Sequence, residues 1–345
     1  YGIAGAPAKL ARLLGFSAPL AGGIRAVAGT GGVRRIIREL TAAPGLEFLR
    51  PRPVRIAARE TAVEDADVSP AGLLLRAEAV GRASGVIEVL QLGDGGHRAW
   101  VVIIPGTQLD GLPAGTNPFD PAGVAEGLGY GSEETASAIR RALHEAGAGA
   151  GEQIAAVGYS QGGIHAMNLS QDEAFLADYD LKFVLTAGSP VGGIEPAPGI
   201  STLHLEHEQD WVPGADGLRN PDTRDRVTVT LTNPLDIPAW QDFGLGPGHR
   251  LGNYADGAEA VAASSDPSLQ ASAAALAAVV GAGGAATATR VSLRRDALPA
   301  RGGAVMAPGP RRVPAGAHAR QPENQRQPEN QRQAENQRQP QAPPA

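Results

Sequence analysis

The feature that most narrows the fold is a succession of short apolar runs separated by segments of helical spacing. "AWVVIIPG" (99–106) is continuous in large aliphatics, as expected of a strand buried on both faces. "QIAAVGYS" (153–160) repeats the pattern. Between them, "SEETASAIRRALHEAG" (132–147) places acids early and a glycine last, the marks of a helix. "PVRIAARE" (53–60), "GVIEVLQL" (85–92), "LKFVLTAGSP" (181–190) and "STLHLEHEQD" (201–210) read as further strands, and "SPAGLLLRAEAVGR" and "GGIHAMNLS" as helical. Alternation of this kind predicts an α/β fold, a mostly parallel sheet with helices on both faces. Sites in such sheets form at the carboxyl ends of the strands.

The 345 residues divide by composition into three regions. Residues 1–50 read as a helical or loosely packed arm. Within them, Leu13 to Ile24 loosely resembles a signal peptide, but Arg25 interrupts it and glycine and proline dilute it. The cytoplasm is therefore slightly favoured over secretion. Residues 51–298 carry the strand and helix pattern. Residues 299–345 contain the tandem hexapeptides QPENQR, QPENQR and QAENQR, with nothing to bury, and are expected to be a disordered tail. A protein partner for that tail is conceivable. The run Ser268 to Ala288 lacks charge, yet alanine dominates it, so a packed helix is expected and not a membrane span.

Composition also narrows function. A net charge of −6 gives no support for nucleic-acid binding. The absence of cysteine removes disulfides, thiolate metal sites and a cysteine nucleophile. No metal site and no cofactor is expected, since His204 and His207, three apart on a strand, point to opposite faces.

Ser160 stands between Gly158 and Gly162 where a buried strand meets a helix. A serine held on so sharp a turn needs neighbours without side chains, because its backbone is strained. The two glycines meet that need, which makes Ser160 the candidate nucleophile. Its hydroxyl requires a base, and the base requires an acid, in the chain order Ser, Asp or Glu, His. His249, in the glycine-rich "GLGPGHRLGNY", is the candidate base. Asp210, after the strand "STLHLEHEQ" and before "WVPG", is the candidate acid, with Asp216, Asp222, Asp236 and Asp242 as competitors. The oxyanion hole is expected from the backbone N–H of Gln161 and from Thr107 in the turn after "VVIIPG", with Gln108 as runner-up.

"VVIIPGTQ", "GYSQGG", "LTAGSPVGG", "HEQDWVPG" and "GHRLGNY" occur in an order and spacing that resemble α/β-hydrolases of the lipase (class 3) and cutinase-like type, over about residues 85–296. The resemblance implies the α/β-hydrolase fold and a serine esterase of a bacterial kind. It departs from cutinases in lacking disulfides, and from class 3 lipases in having Pro105-Gly106-Thr107 where they usually carry Arg-Gly-Thr.

The function expected is therefore a serine hydrolase acting on a small-molecule carboxylic ester, with an apolar acyl group. A thioesterase or acyltransferase would use the same triad. A non-catalytic scaffold with a partner-recruiting tail is the reading from another class. The segment 109–132, rich in glycine and proline, is expected to form a lid or pocket wall. Trp211, Trp240 and Phe243 flank the acid-to-histidine segment, either lining an acyl pocket or packing ordinarily.

Overall fold

In the apolar strands, side chains alternate between two cores. The computed structural model describes residues 32–93, 98–110, 115–235 and 245–299. All of these belong to one unit, Tyr1–Pro299, and the second unit, Ala300–Ala345, lies outside the described residues, as does the expected tail. Eight strands form one sheet in the order β1-β8-β2-β3-β4-β5-β6-β7. They are β1 (Val54–Ala66), β2 (Val86–Leu92), β3 (Ala99–Ile104), β4 (Gln153–Tyr159), β5 (Asp180–Ala187), β6 (Ser201–His207), β7 (Arg226–Leu231) and β8 (Gly284–Arg295). From β3 to β7 all neighbours are parallel, whereas β1, β8 and β2 join antiparallel at one side.

Trp100, Val102 and Ile104 of β3 point into one core, and Val101 and Ile103 into the other. A period of two with both faces covered leaves no position for a polar side chain, which is why the run is continuous. One face carries α2 (Pro70–Gly81), α7 (Leu251–Ala262) and α8 (Pro267–Val280). The other carries α1 (Val33–Ala42), α3 (Pro121–Tyr130), α4 (Glu133–Ala146), α5 (Gln161–Leu169) and the short α6 (Glu173–Asp178). The architecture is α/β, with a mostly parallel sheet between helical layers. Among the described residues no helix is long and apolar enough to cross a membrane.

Four details depart from the sequence reading. The arm, expected over 1–50 to be helical or loosely packed, is helical from residue 33 and packed on the domain: Val33, Ile36 and Ile37 are buried at the i, i+3, i+4 spacing of a helix face. Ile37 sits against Gly129 of α3, where an added Cβ would lie 2.6 Å from it. Residues 1–31 lie outside the described ones. Second, much of the segment expected to be a lid or pocket wall is helix α3, buried along nearly all its length, and its Val124 walls the cavity at Ser160. Pro121 starts it, and Asp120 caps it by accepting from the N–H groups of Ala122 and Gly123 at 2.8 and 3.1 Å. Its glycines let it lie close to α5: a Cβ on Gly127 would meet Ile164 at 2.8 Å. Third, the uncharged run from Ser268 ends as a helix at Val280, and its remainder enters β8. Fourth, β7, with the sequence RVTVTL, is an edge strand that the sequence reading passed over.

Candidate active site

Strand β4 lies inside the parallel part of the sheet, between β3 and β5. At its carboxyl end the chain turns abruptly into α5, and the turning residue is Ser160. Its φ of 54° and ψ of −119° lie where residues with a Cβ are strained. Only one other described non-glycine residue, Ser132, has a positive φ. The surroundings enforce this geometry. A Cβ on Gly158 would overlap the backbone of Gly162, and one on Gly162 would overlap the carbonyl of Ile104. The Ser160 N–H is anchored to the Ala187 carbonyl at 2.9 Å, so the strain is held by the neighbouring strand.

Two loops deliver the partners. After β6 the chain reaches Asp210, whose N–H bonds the His207 carbonyl at 2.9 Å. Ahead of α7 a single tight turn, Pro247–His249, presents the imidazole. These loops touch at Gly248, where a Cβ would lie 2.5 Å from the Gln209 carbonyl carbon. His249 Nδ1 is 2.6 Å from Asp210 Oδ2, and His249 Nε2 is 2.9 Å from Ser160 Oγ. All three residues are buried. With Nδ1 facing the carboxylate, a neutral imidazole carries its proton there and turns an unprotonated Nε2 toward the serine hydroxyl.

The sequence reading missed the groups around this chain of hydrogen bonds. The Tyr254 hydroxyl, from α7, donates to Asp210 Oδ2 at 2.6 Å, and the Val212 N–H donates to Oδ1 at 2.9 Å. Burial, and then the Asp210 charge, push the Tyr254 pKa well up, so the hydroxyl keeps its proton. Tyr159, the residue before the serine, stacks its ring on His249 at 5.1 Å between centroids and donates its hydroxyl to the His249 carbonyl. The "GYS" pattern places Tyr159 beside Ser160. Nothing local in the sequence links Tyr254 to Asp210.

The expected oxyanion donors divide. Gln161 opens α5, so its N–H is one of the four that no intrahelical carbonyl meets, at the positive end of the helix dipole. Thr107 lines an apolar slot together with Ser160 and Gln161, and has no hydrogen-bond partner among the described residues. Gly106 makes this approach feasible, because a Cβ there would lie 2.7 Å from the Tyr159 ring. Gln108 is corrected as runner-up. Its N–H is taken by the Phe119 carbonyl at 2.7 Å, and its amide bonds Gly81, Ala83, Gly85 and Asn117, so it ties loops together.

The competing acids are engaged elsewhere. Asp216 accepts from the N–H groups of Gly193 and Leu218, and Asp222 from that of Thr228. Asp236, Asp242, Trp240 and Phe243 lie outside the described residues. Three other described histidines, His165, His204 and His207, have structural contacts. His204 is held between Thr186 and Thr202, and burial lowers its pKa to about 3. His165 is lowered to about 3 in the same way; Ser132 contacts its Nδ1 at 2.7 Å, and the Gln161 amide its Nε2 at 3.2 Å. That second contact holds the side chain of Gln161, the first residue of α5. Among the described residues no group of three His, Asp or Glu side chains is disposed to hold a metal ion.

Compared with protein-family models, curated proteins and solved structures, the chain finds no match, so the site is read from its own geometry.

Proposed function

We propose that the chain is a serine hydrolase of the α/β-hydrolase kind, related to the lipase and cutinase-like esterases, and that it cleaves carboxylic esters through an acyl-enzyme. One observation carries this reading: a strained serine in hydrogen-bond line with a histidine and a buried carboxylate, at 2.9 and 2.6 Å. A structural serine has no need of a bare imidazole nitrogen, nor of a backbone in a costly conformation.

In the proposed reaction Ser160 Oγ attacks the ester carbonyl carbon while His249 Nε2 takes its proton. The N–H groups of Gln161 and Thr107 hold the oxyanion, where the α5 dipole adds to their effect. Asp210 orients the ring and stabilises the imidazolium. Collapse of the tetrahedral intermediate breaks the bond to the alcohol oxygen, which leaves with the proton from His249. Water then gives a proton to His249, attacks the acyl-enzyme, and releases the acid as Ser160 regains its hydrogen.

A fluorophosphonate probe tests the assignment. Expected is stoichiometric labelling at Ser160, lost in Ser160→Ala together with ester turnover. Labelling of another residue, or turnover equal in wild type and Ser160→Ala, would overturn it.

A further inference from the structure

Two cavities of unequal size and polarity flank the triad, one holding Ser160 and the other lying against His249. The first is an apolar slot walled by Val124, Ile164, Pro190, Trp211, Val212 and Leu245, and it contains Ser160, Thr107 and Gln161. Its volume is about 20 Å³, little more than the roughly 10–15 Å³ that one water needs. The second is a cleft of about 280 Å³ against His249 and Tyr159, close to the roughly 300 Å³ at which small-ligand pockets begin. Glu78, Arg82 and Arg250 bring charge to its walls. Thr107 and Leu245 line both cavities, so the two adjoin beside the reacting centre.

The chemistry assigns the compartments. The acyl carbon bonds to Ser160 Oγ, and its oxygen must reach Gln161 and Thr107, so the acyl chain extends into the cavity that holds these three. The alcohol oxygen must receive its proton from His249 Nε2, so the leaving group extends along the cavity that His249 lines. We propose that the site sorts esters by size and polarity: an acetyl-sized acyl group enters the slot, and a bulkier, hydroxyl-rich alcohol occupies the charged cleft. This rests on the ester-hydrolase reading and narrows it to short-chain acyl esters of polar alcohols. It also narrows the apolar acyl group expected from sequence to a small one. Two of the slot's walls cannot move cheaply: Ile164 belongs to the packed core behind Ser160, and Val124 to a helix that is buried along nearly all its length.

The test uses the full chain. With p-nitrophenyl esters, kcat/KM is expected to fall at least roughly 100-fold from acetate to octanoate, since a filled pocket discriminates about tenfold or more per methylene. Among acetate esters, the glyceryl ester is expected to outpace the octyl ester. Trp211→Ala enlarges the slot and is expected to raise the octanoate-to-acetate ratio at least roughly tenfold. If that variant does not fold, the wild-type series still decides. A small methyl fluorophosphonate separates the outcomes. Labelling of Ser160 with a flat profile, or with octanoate preferred, overturns the sorting and leaves the hydrolase reading standing. Absence of labelling and of turnover overturns both.

Discussion

The Tyr254 hydroxyl donates to Asp210 Oδ2 over 2.6 Å, onto the same carboxylate oxygen that faces His249 Nδ1. The Tyr254 oxygen also accepts the His207 N–H at 3.1 Å, so it ties the end of β6, three residues before Asp210, to α7. Tyr254→Phe therefore removes a donor from the carboxylate and an acceptor from a buried N–H. The expected outcome is a loss of about 1–3 kcal/mol in urea unfolding, and a fall in kcat smaller than that of Asp210→Asn. An unchanged stability would mean that the buried N–H finds another acceptor.

Ser160→Ala and His249→Ala are each expected to lower ester turnover by roughly 10³-fold or more, and Asp210→Asn by less. The double variant Ser160→Ala/His249→Ala should lose no more than either single one, because the two groups act as a unit. Steady-state kinetics on an acetate ester measures this. Additive losses would show that the imidazole and the hydroxyl work separately.

The backbone of Ser160 allows a test without substrate. At φ 54° and ψ −119° a side chain is strained, whereas glycine is not. Ser160→Gly should accordingly be more stable than Ser160→Ala by about 1 kcal/mol or more, read as a difference in denaturation midpoint. Equal midpoints would show that the turn relaxes when the hydroxyl is gone.

Asp120 and Arg295 are buried and paired, and Asp120 also caps α3. Removing the cation leaves a buried carboxylate without its counter-charge. Arg295→Met is expected to cost about 3–5 kcal/mol, and Asp120→Asn added to it should recover part of the loss, since asparagine still caps the helix. Thermal unfolding of the three proteins decides between this and a pair that contributes nothing.

Glu126 sits within α3, bonded to the N–H and hydroxyl of Thr135 at 2.8 and 3.1 Å, and burial raises its pKa from 4.5 to about 7. Between those values the unfolded chain releases this proton and the folded chain keeps it. Stability from this group is thus fully present below about pH 4.5 and is lost as pH rises through about 7. Glu126→Gln cannot titrate. Relative to it, wild type should lose on the order of 3 kcal/mol between pH 4.5 and 7, with parallel curves above. Curves parallel throughout would place the Glu126 carboxyl at its ordinary pKa.

What the sequence determined by itself is whatever a few adjacent residues settle. A continuous apolar run such as 99–106 has to lie between two covered faces, because water on either face would select polar side chains at every second place. Gly158, Gly162 and the strand-to-helix switch around Ser160 likewise mark a strained turn, since a Cβ at either glycine meets backbone only a few residues away or on the adjoining strand. Asp210 and His249 could be singled out from strand ends and chain order alone. The edge strand RVTVTL is equally legible from its alternation.

The tertiary structure decided the rest, because it concerns groups distant in sequence that compete for the same atoms. Gln108 and Thr107 are neighbours in one turn, and only the position of Phe119 determines that the Gln108 N–H is taken. The glycines of 121–130 read as loop residues, yet they are the places where α3 meets α1 and α5 too closely for a side chain. Tyr254 lies 44 residues from Asp210, and their shared hydrogen bond exists only because α7 crosses the end of β6. The unequal volumes of the slot at Ser160 and the cleft at His249 depend on how helices and loops from separate parts of the chain come together, a quantity that no local pattern of residues encodes.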